Sequence, residues 1–139
     1  PVDRRQRQMC IRDRGNDVTV VSFGKILKEV FKADEKLKED NIDIEIIDLR
    51  TIRPLDINTI ISSVKKTNRL VILEESWPFG NISTEIAYQV QNKAMDYLDA
   101  PIVKINTADT PTPYSPVLLK EWLPNYNDVV KAVNKVLYK

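Results

Sequence analysis

The side chains best suited to chemistry fall in four short groups: Ser22 with Gly24, the run DLRTIRPLD from Asp48 to Asp56, the adjacent Glu74 and Glu75, and Asp109 with Tyr114. Paired carboxylates can do general acid and base work when their environments separate their pKa values. Consecutive residues leaving a strand point to opposite faces, however, so Glu74 and Glu75 make a poor dyad. Arg53 has the reach to pair with one of these glutamates across neighbouring strand ends. The reading preferred for these groups is that they fix loops or a subunit contact. The chain has no histidine, the commonest general base and metal ligand. Its one cysteine, Cys10, can make no internal disulfide, and a zinc site of the usual Cys/His kind is excluded. Gly15, Gly24 and Gly80 are its three glycines, and none stands in a GxGxxG or GxxxxGK setting, which excludes nucleotide binding by those motifs. The residues therefore assign no catalytic, cofactor-binding or metal-binding role.

A chain of 139 residues, 42% hydrophobic and 29% charged, has the balance of one globular domain. No apolar run approaches the roughly 20 residues of a membrane-spanning helix, and no secretory signal opens the chain. The expectation is an intracellular protein with no membrane partner. Residues Pro1 to Arg14 hold five arginines against two aspartates, leaving 16 basic and 18 acidic residues over 15–139, a net charge of −2. An arginine-rich arm can bind nucleic acid by neutralising phosphates, but this arm has no aromatic residue for stacking and the body behind it is slightly acidic. Residues 1–14 are read as a disordered or non-native leader, residues 15–139 as the domain, and nucleic acid is not expected as a partner.

The elements that must position these groups alternate along the chain. Val18 to Phe23 is a β-branched apolar run broken by Gly24, and the helical segment after it sets Ile26, Leu27, Val30, Phe31, Ala33 and Leu37 along one stripe. A largely buried strand follows over Ile42 to Leu49. Pro54 forbids helix before it, and Asp56 is placed to cap a helix carrying Ile57, Ile60, Ile61 and Val64 on one face. Another strand spans RLVILEE, and Asn81 or Ser83 starts a helix with the stripe Ile82, Ile86, Ala87 and Val90. A fourth strand lies around Ile102 to Ile105, Thr107 to Pro116 is a proline-constrained loop, and Val129, Val130, Val133, Val136 and Leu137 share a closing helix. Such alternation predicts a mostly parallel sheet with helices on both faces, with ligand sites beyond the carboxyl ends of the strands. Trp77, Phe79, Tyr114 and Trp122 lie in or near the proline-containing loops, where they either anchor a partner or pack under their own loops.

The stretches DVTVVSFG, IIDLRTIRPLD, VKKTNRLVILEESWPFGNISTEIA, YLDAPIVKINTADTPTPYSP and LP-x₃-DVVKAVNKVL occur in an order that resembles one family. It is the C-terminal domain of the β subunit of the thiamine-diphosphate-dependent decarboxylase component of pyruvate dehydrogenase, a relative of the transketolase C-terminal domain. The resemblance runs from about Gly15 to the end. It implies a three-layer α/β/α domain with a five-stranded, mostly parallel sheet in which one strand is antiparallel. In the family a larger preceding domain contacts the thiamine diphosphate, with its magnesium, and supplies the catalytic histidine. The expectation is that this chain binds no cofactor itself and is inactive alone, while the parent enzyme oxidatively decarboxylates pyruvate and acetylates lipoyl groups.

The implied partners are the decarboxylase α subunit, a second β subunit and the subunit-binding domain of the dihydrolipoyl acyltransferase. Asp99, in an intact LDAP, matches the family aspartate that meets a basic residue of that small domain. Lys139 matches a terminal position that contributes in some members, although the ending YK departs from the apolar ending of some relatives. Without the family, Asp99 reads as a turn residue before Ala100 and Pro101. Arg50, Arg53, Glu75, Trp77 and Tyr114 are the candidates for a subunit interface or for structural contacts. The location implied is the cytoplasm of a bacterium or the mitochondrial matrix of a eukaryote. A branched-chain 2-oxoacid or acetoin dehydrogenase β subunit is the near alternative, and a free-standing protein-interaction module the distant one.

Overall fold

The structure is a computed structural model and describes residues 10–139. Five strands, β1 (Cys10–Asp13), β2 (Val18–Ser22), β3 (Ile44–Asp48), β4 (Leu70–Leu73) and β5 (Val103–Ile105), form one sheet in the order β1-β3-β2-β4-β5. The helices are α1 (Leu27–Glu39), α2 (Ile57–Thr67), α3 (Ile82–Ala94), α4 (Pro116–Trp122) and α5 (Tyr126–Val136). β2 pairs in parallel with both β3 and β4, β4 in parallel with β5, and β1 antiparallel with β3. This is the expected mixed five-stranded sheet.

The two-residue period of the strands builds the three layers. Val18, Val20, Ile44, Ile46, Val71 and Leu73 turn to one face, where they meet Leu27, Val30, Ala33 and Leu37 of α1 and Val129, Val133 and Val136 of α5. Val21, Ile47, Leu70 and Ile72 turn to the other face, against Ile57, Ile60 and Val64 of α2 and Ile86 and Val90 of α3. β2, β3 and β4 are buried throughout, as strands covered on both faces must be. Phe31, placed on the apolar stripe of α1 by its spacing, lies at the edge of that stripe and is 39% exposed.

The α2 face also carries a polar seam. Thr19 Oγ1 lies 2.6 Å from Ser63 Oγ and 2.7 Å from Thr67 Oγ1, and Ser63 and Lys66 both donate to the buried carboxylate of Glu45. The partners satisfy groups that would be costly to bury alone, and they set the register of α2 on the sheet.

The boundary drawn at Gly15 needs correction. Cys10–Asp13, assigned to the leader by its composition, is the antiparallel edge strand, with Cys10 opposite Asp48 and Ile11 opposite Ile47. The physical reason is pairing: the outer edge of β3 presents backbone groups that an adjacent strand satisfies. Lys38 fastens this strand to α1 by donating to Asp13 at 2.7 Å and to Asp34 at 2.6 Å. The remainder of the leader, residues 1–9, lies outside the described residues.

Gly15 makes the turn from β1 to β2 possible. A Cβ there would stand 2.3 Å from the backbone carbon of Ile44 and 2.5 Å from its oxygen, so only glycine fits against β3. The segment after the proline-rich loop also differs from the sequence reading: a short helix, α4, begins at Pro116, a residue pre-set for a first helical position.

Candidate functional site

Three chain segments converge at the amino-terminal ends of β4 and β5. α2 stops at Asn68, whose left-handed conformation (φ 61) reverses the chain while its N–H donates to Val64 O at 2.7 Å. The next residue, Arg69, is held by its backbone: its carbonyl accepts from Thr19 N–H at 3.0 Å and from Thr67 Oγ1 at 3.1 Å. After α3 the chain makes a tight turn over Met95–Tyr97 and reaches Asp99. Asp99 N–H donates to Asn68 O at 2.9 Å, and Asn68 Nδ2 donates to Tyr97 O at 2.8 Å. The third segment is the end of α5, closed by Tyr138 at φ 58 and by Lys139 N–H donating back to Asn134 O at 3.0 Å. Tyr138 Oη then donates to Asp99 O at 3.2 Å.

Arg69 joins the three. Its Nε donates to Val136 O, in the last turn of α5, at 3.1 Å, and its Nη2 lies 3.6 Å from Asp99 Oδ2. The Asp99 side chain is 58% exposed and the Arg69 side chain 26%. Beside Asp99 runs an open groove of about 600 Å³ whose lining includes Ala87, Gln91, Met95, Leu98, Pro101 and Ile102. The arrangement sets an exposed carboxylate next to an apolar trough, which suits a cationic partner. Lys139, the other residue expected at a docking surface, is exposed and lies next to Tyr138, so the fold brings both expectations to one end. Sequence reasoning missed Arg69, Asn68 and Tyr138. The apolar run ending at Leu73 gave no hint that its first residue reaches α5.

The opposite end of the sheet holds the other candidates. Asp48 Oδ2 accepts from Arg12 Nη2 at 2.9 Å and forms an ion pair with Arg50 Nε at 2.9 Å, so Arg50 ties its own strand end while Arg12 anchors β1. The expected pairing of Arg53 with Glu74 or Glu75 does not form. Arg53 is exposed in the turn before α2, and Glu74 is buried and turned to α3, where its carboxylate accepts from Ile82 N–H at 3.3 Å and Ser83 N–H at 2.8 Å. A negative charge on free N–H groups at a helix start is a strong arrangement, and it takes precedence over a solvent-exposed ion pair. Glu75 is exposed, so the pair indeed splits between opposite environments.

Trp77 and Trp122 tie down the proline-rich loop, each donating its indole N–H to Thr110 O, at 2.9 and 3.0 Å, although Trp77 stays half exposed. Phe79 is 90% exposed, and Tyr114 is fully exposed. Asp109 and Tyr114 are both on the surface and share no hydrogen bond. Ser22, beside Gly24, is buried with its hydroxyl unpartnered. Among the described residues no three His, Cys, Asp or Glu side chains gather where they could hold a metal ion.

The β1 clasp couples three charged side chains. The Lys38 ammonium hydrogen-bonded to Asp13 holds that carboxyl below its usual value of 3.8, whereas burial pushes Asp34 above it. Lys38, hydrogen-bonded to both, is raised above its usual 10.5. This is a structural tether, on a different part of the surface from the Asp99 groove.

The transketolase C-terminal domain family matches residues 8–129. This chain belongs to the transketolase C-terminal domain family. A transketolase C-terminal domain beginning at residue 8 includes β1, in agreement with the sheet. The chain is 52% identical over 129 residues to the pyruvate dehydrogenase E1 component subunit beta of Rhizobium meliloti (strain 1021), covering 93% of this chain and 28% of that protein. It is 50% identical over 131 residues to the subunit of the same name from Rickettsia felis, covering 94% and 40%. The mitochondrial beta-1 subunit of Arabidopsis thaliana is 44% identical over 129 residues, covering 93% and 36%. The chain therefore spans less than half the length of these relatives. Its transketolase C-terminal fold superposes on a split gene transketolase, described as an inactive beta4 tetramer, with a TM-score of 0.81 and 24% identity over 94% of this chain and 41% of that one. No helix among the described residues is long and apolar enough to cross a membrane.

Proposed function

We propose that this chain is the non-catalytic assembly and docking domain of a pyruvate dehydrogenase β subunit. The parent enzyme, in this reading, oxidatively decarboxylates pyruvate with thiamine diphosphate and acetylates lipoyl groups, in the bacterial cytoplasm or the mitochondrial matrix. The observation that carries the reading is the Asp99 carboxylate, exposed at one end of the domain on a loop secured by Asn68 and Tyr138. High identity to proteins named as pyruvate dehydrogenase β subunits supports it. Asp99 receives a basic residue of the acyltransferase's subunit-binding domain, and Lys139 stands at the margin of the same surface. Exposed groups at the far end of the sheet, Arg50, Arg53, Glu75, Trp77 and Tyr114, face the decarboxylase α subunit and the second β subunit. Arg50 and Trp77 do so while also serving the contacts within the domain described above.

The test is a calorimetric titration of the chain with a recombinant subunit-binding domain of a bacterial dihydrolipoyl acyltransferase, at low and at near-physiological salt. Binding that weakens with salt, and weakens by about 1–2 kcal/mol in Asp99→Ala, is the expected result. A folded chain that binds nothing at either salt overturns the docking part of the reading.

A further inference from the structure

Arg69 stands beside the docking carboxylate without being needed to hold it. The Asp99 backbone is secured by Asn68 O and by Tyr138 Oη, and the neighbouring Tyr97 carbonyl by Asn68 Nδ2. None of these bonds involves the Arg69 side chain. Its Nη2, at 3.6 Å from Asp99 Oδ2, is within ion-pair range but beyond the 2.7–3.2 Å of a good N–H···O bond. The carboxylate therefore keeps lone pairs for a second donor. Nor can Arg69 move away at no cost, because its Nε is committed to Val136 O at 3.1 Å, where the carbonyl end of α5 favours a cation.

We infer that Arg69 is a built-in competitor for the cation that Asp99 receives, and that it sets the affinity and salt dependence of docking. The inference rests on the reading of Asp99 as the docking carboxylate. It also describes the partner: a lysine or arginine approaches Asp99 against a resident positive charge, so the apolar groove along Leu98, Pro101 and Ile102 must supply part of the affinity. An exposed ion pair contributes on the order of 0.2–1 kcal/mol, which converts to an affinity change of about 1.4- to 5-fold on its removal.

Arg69→Gln tests this, because glutamine keeps a donor for Val136 O while removing the charge. Titrated with the same subunit-binding domain, it is expected to bind up to about fivefold tighter at low salt, with a steeper loss of affinity as salt rises. Arg69→Met, which removes the charge without a donor, should change affinity in the same direction, and Arg69→Lys, which keeps the charge, should stay close to the unaltered chain. On an Asp99→Ala background, Arg69→Gln should give no gain. Weaker or unchanged binding by both neutral variants, with unfolding midpoints near that of the unaltered chain, overturns the inference while leaving the docking reading intact. Absence of binding by the unaltered chain and by Arg69→Gln alike overturns the docking reading, and the inference with it.

Discussion

Glu74 and Glu75 are identical in type and adjacent in sequence, yet their surroundings give them different weights. Glu74 accepts two N–H groups at the start of α3 and is buried, whereas Glu75 is exposed. Replacing Glu74 with alanine leaves those donors without their partner and is expected to cost about 1–3 kcal/mol in urea unfolding. Glu75→Ala should change stability by no more than about 0.5 kcal/mol. A reversed ranking would contradict the assignment of Glu74 as the helix anchor. Gly15 makes a comparable claim with a single methyl group. Gly15→Ala drives a Cβ into the Ile44 backbone, which cannot swing aside as a side chain would, and about 1–3 kcal/mol of destabilisation is expected. An unshifted denaturation midpoint would show that the β1–β2 turn tolerates a side chain.

At the scale of elements, the attachment of β1 is open to titration. Asp13 has a lowered pKa, so its contribution is present above about 3.8 and is lost as pH falls through the depressed value. Asp34 has a raised pKa, so its ionisation costs stability as pH rises from 3.8 through the elevated value. Lys38 has a raised pKa, so its contribution is complete below 10.5 and declines as pH rises beyond that. Lys38→Met removes the cation shared by both carboxylates and leaves the buried Asp34 charge unpaired. We expect it to lower stability at about pH 7, and lowering the pH to about 5 to restore part of the loss as Asp34 takes up a proton. The comparison of urea midpoints at the two pH values checks this. Equal losses at both would place the contribution of Lys38 outside the Asp34 pair. Hydrogen exchange in Ile11 and Asp13 should also be faster in the variant, because the edge strand loses its side-chain tether.

For the whole molecule, the single sheet makes the two cores interdependent. Leu37 lies fully buried in the core on the α1 face and Ile60 in the core on the α2 face, and both clusters are built on alternating residues of the same strands. Leu37→Ala and Ile60→Ala should each cost about 2–5 kcal/mol and shift one common transition, observed alike by circular dichroism and by tryptophan fluorescence. Separate transitions for the two faces would show that the layers unfold independently. The exposed candidate groups are also divided across the molecule: the Asp99 carboxylate lies at the amino ends of β4 and β5, while Phe79 and Tyr114 project at the other end.

Much of this was written in the sequence, because periodicity is a local property. The 3.6- and two-residue repeats marked α1, α2, α3, α5 and the four central and outer parallel strands, and Asp56 and Asn81 cap the helices that their positions indicated. Motif order indicated the antiparallel fifth strand and singled out Asp99, but neither could locate that strand at Cys10–Asp13, where arginine-rich composition suggested a leader. Only the tertiary structure decided which charges meet. Asp48 takes Arg12 from 36 positions away, Glu74 takes the start of α3 in place of Arg53, and Asp99 finds Arg69 and Tyr138 across three chain segments. The physical reason is that ion pairs and hydrogen bonds depend on distances of a few ångströms, which folding sets for residues far apart in the chain and which local spacing does not contain.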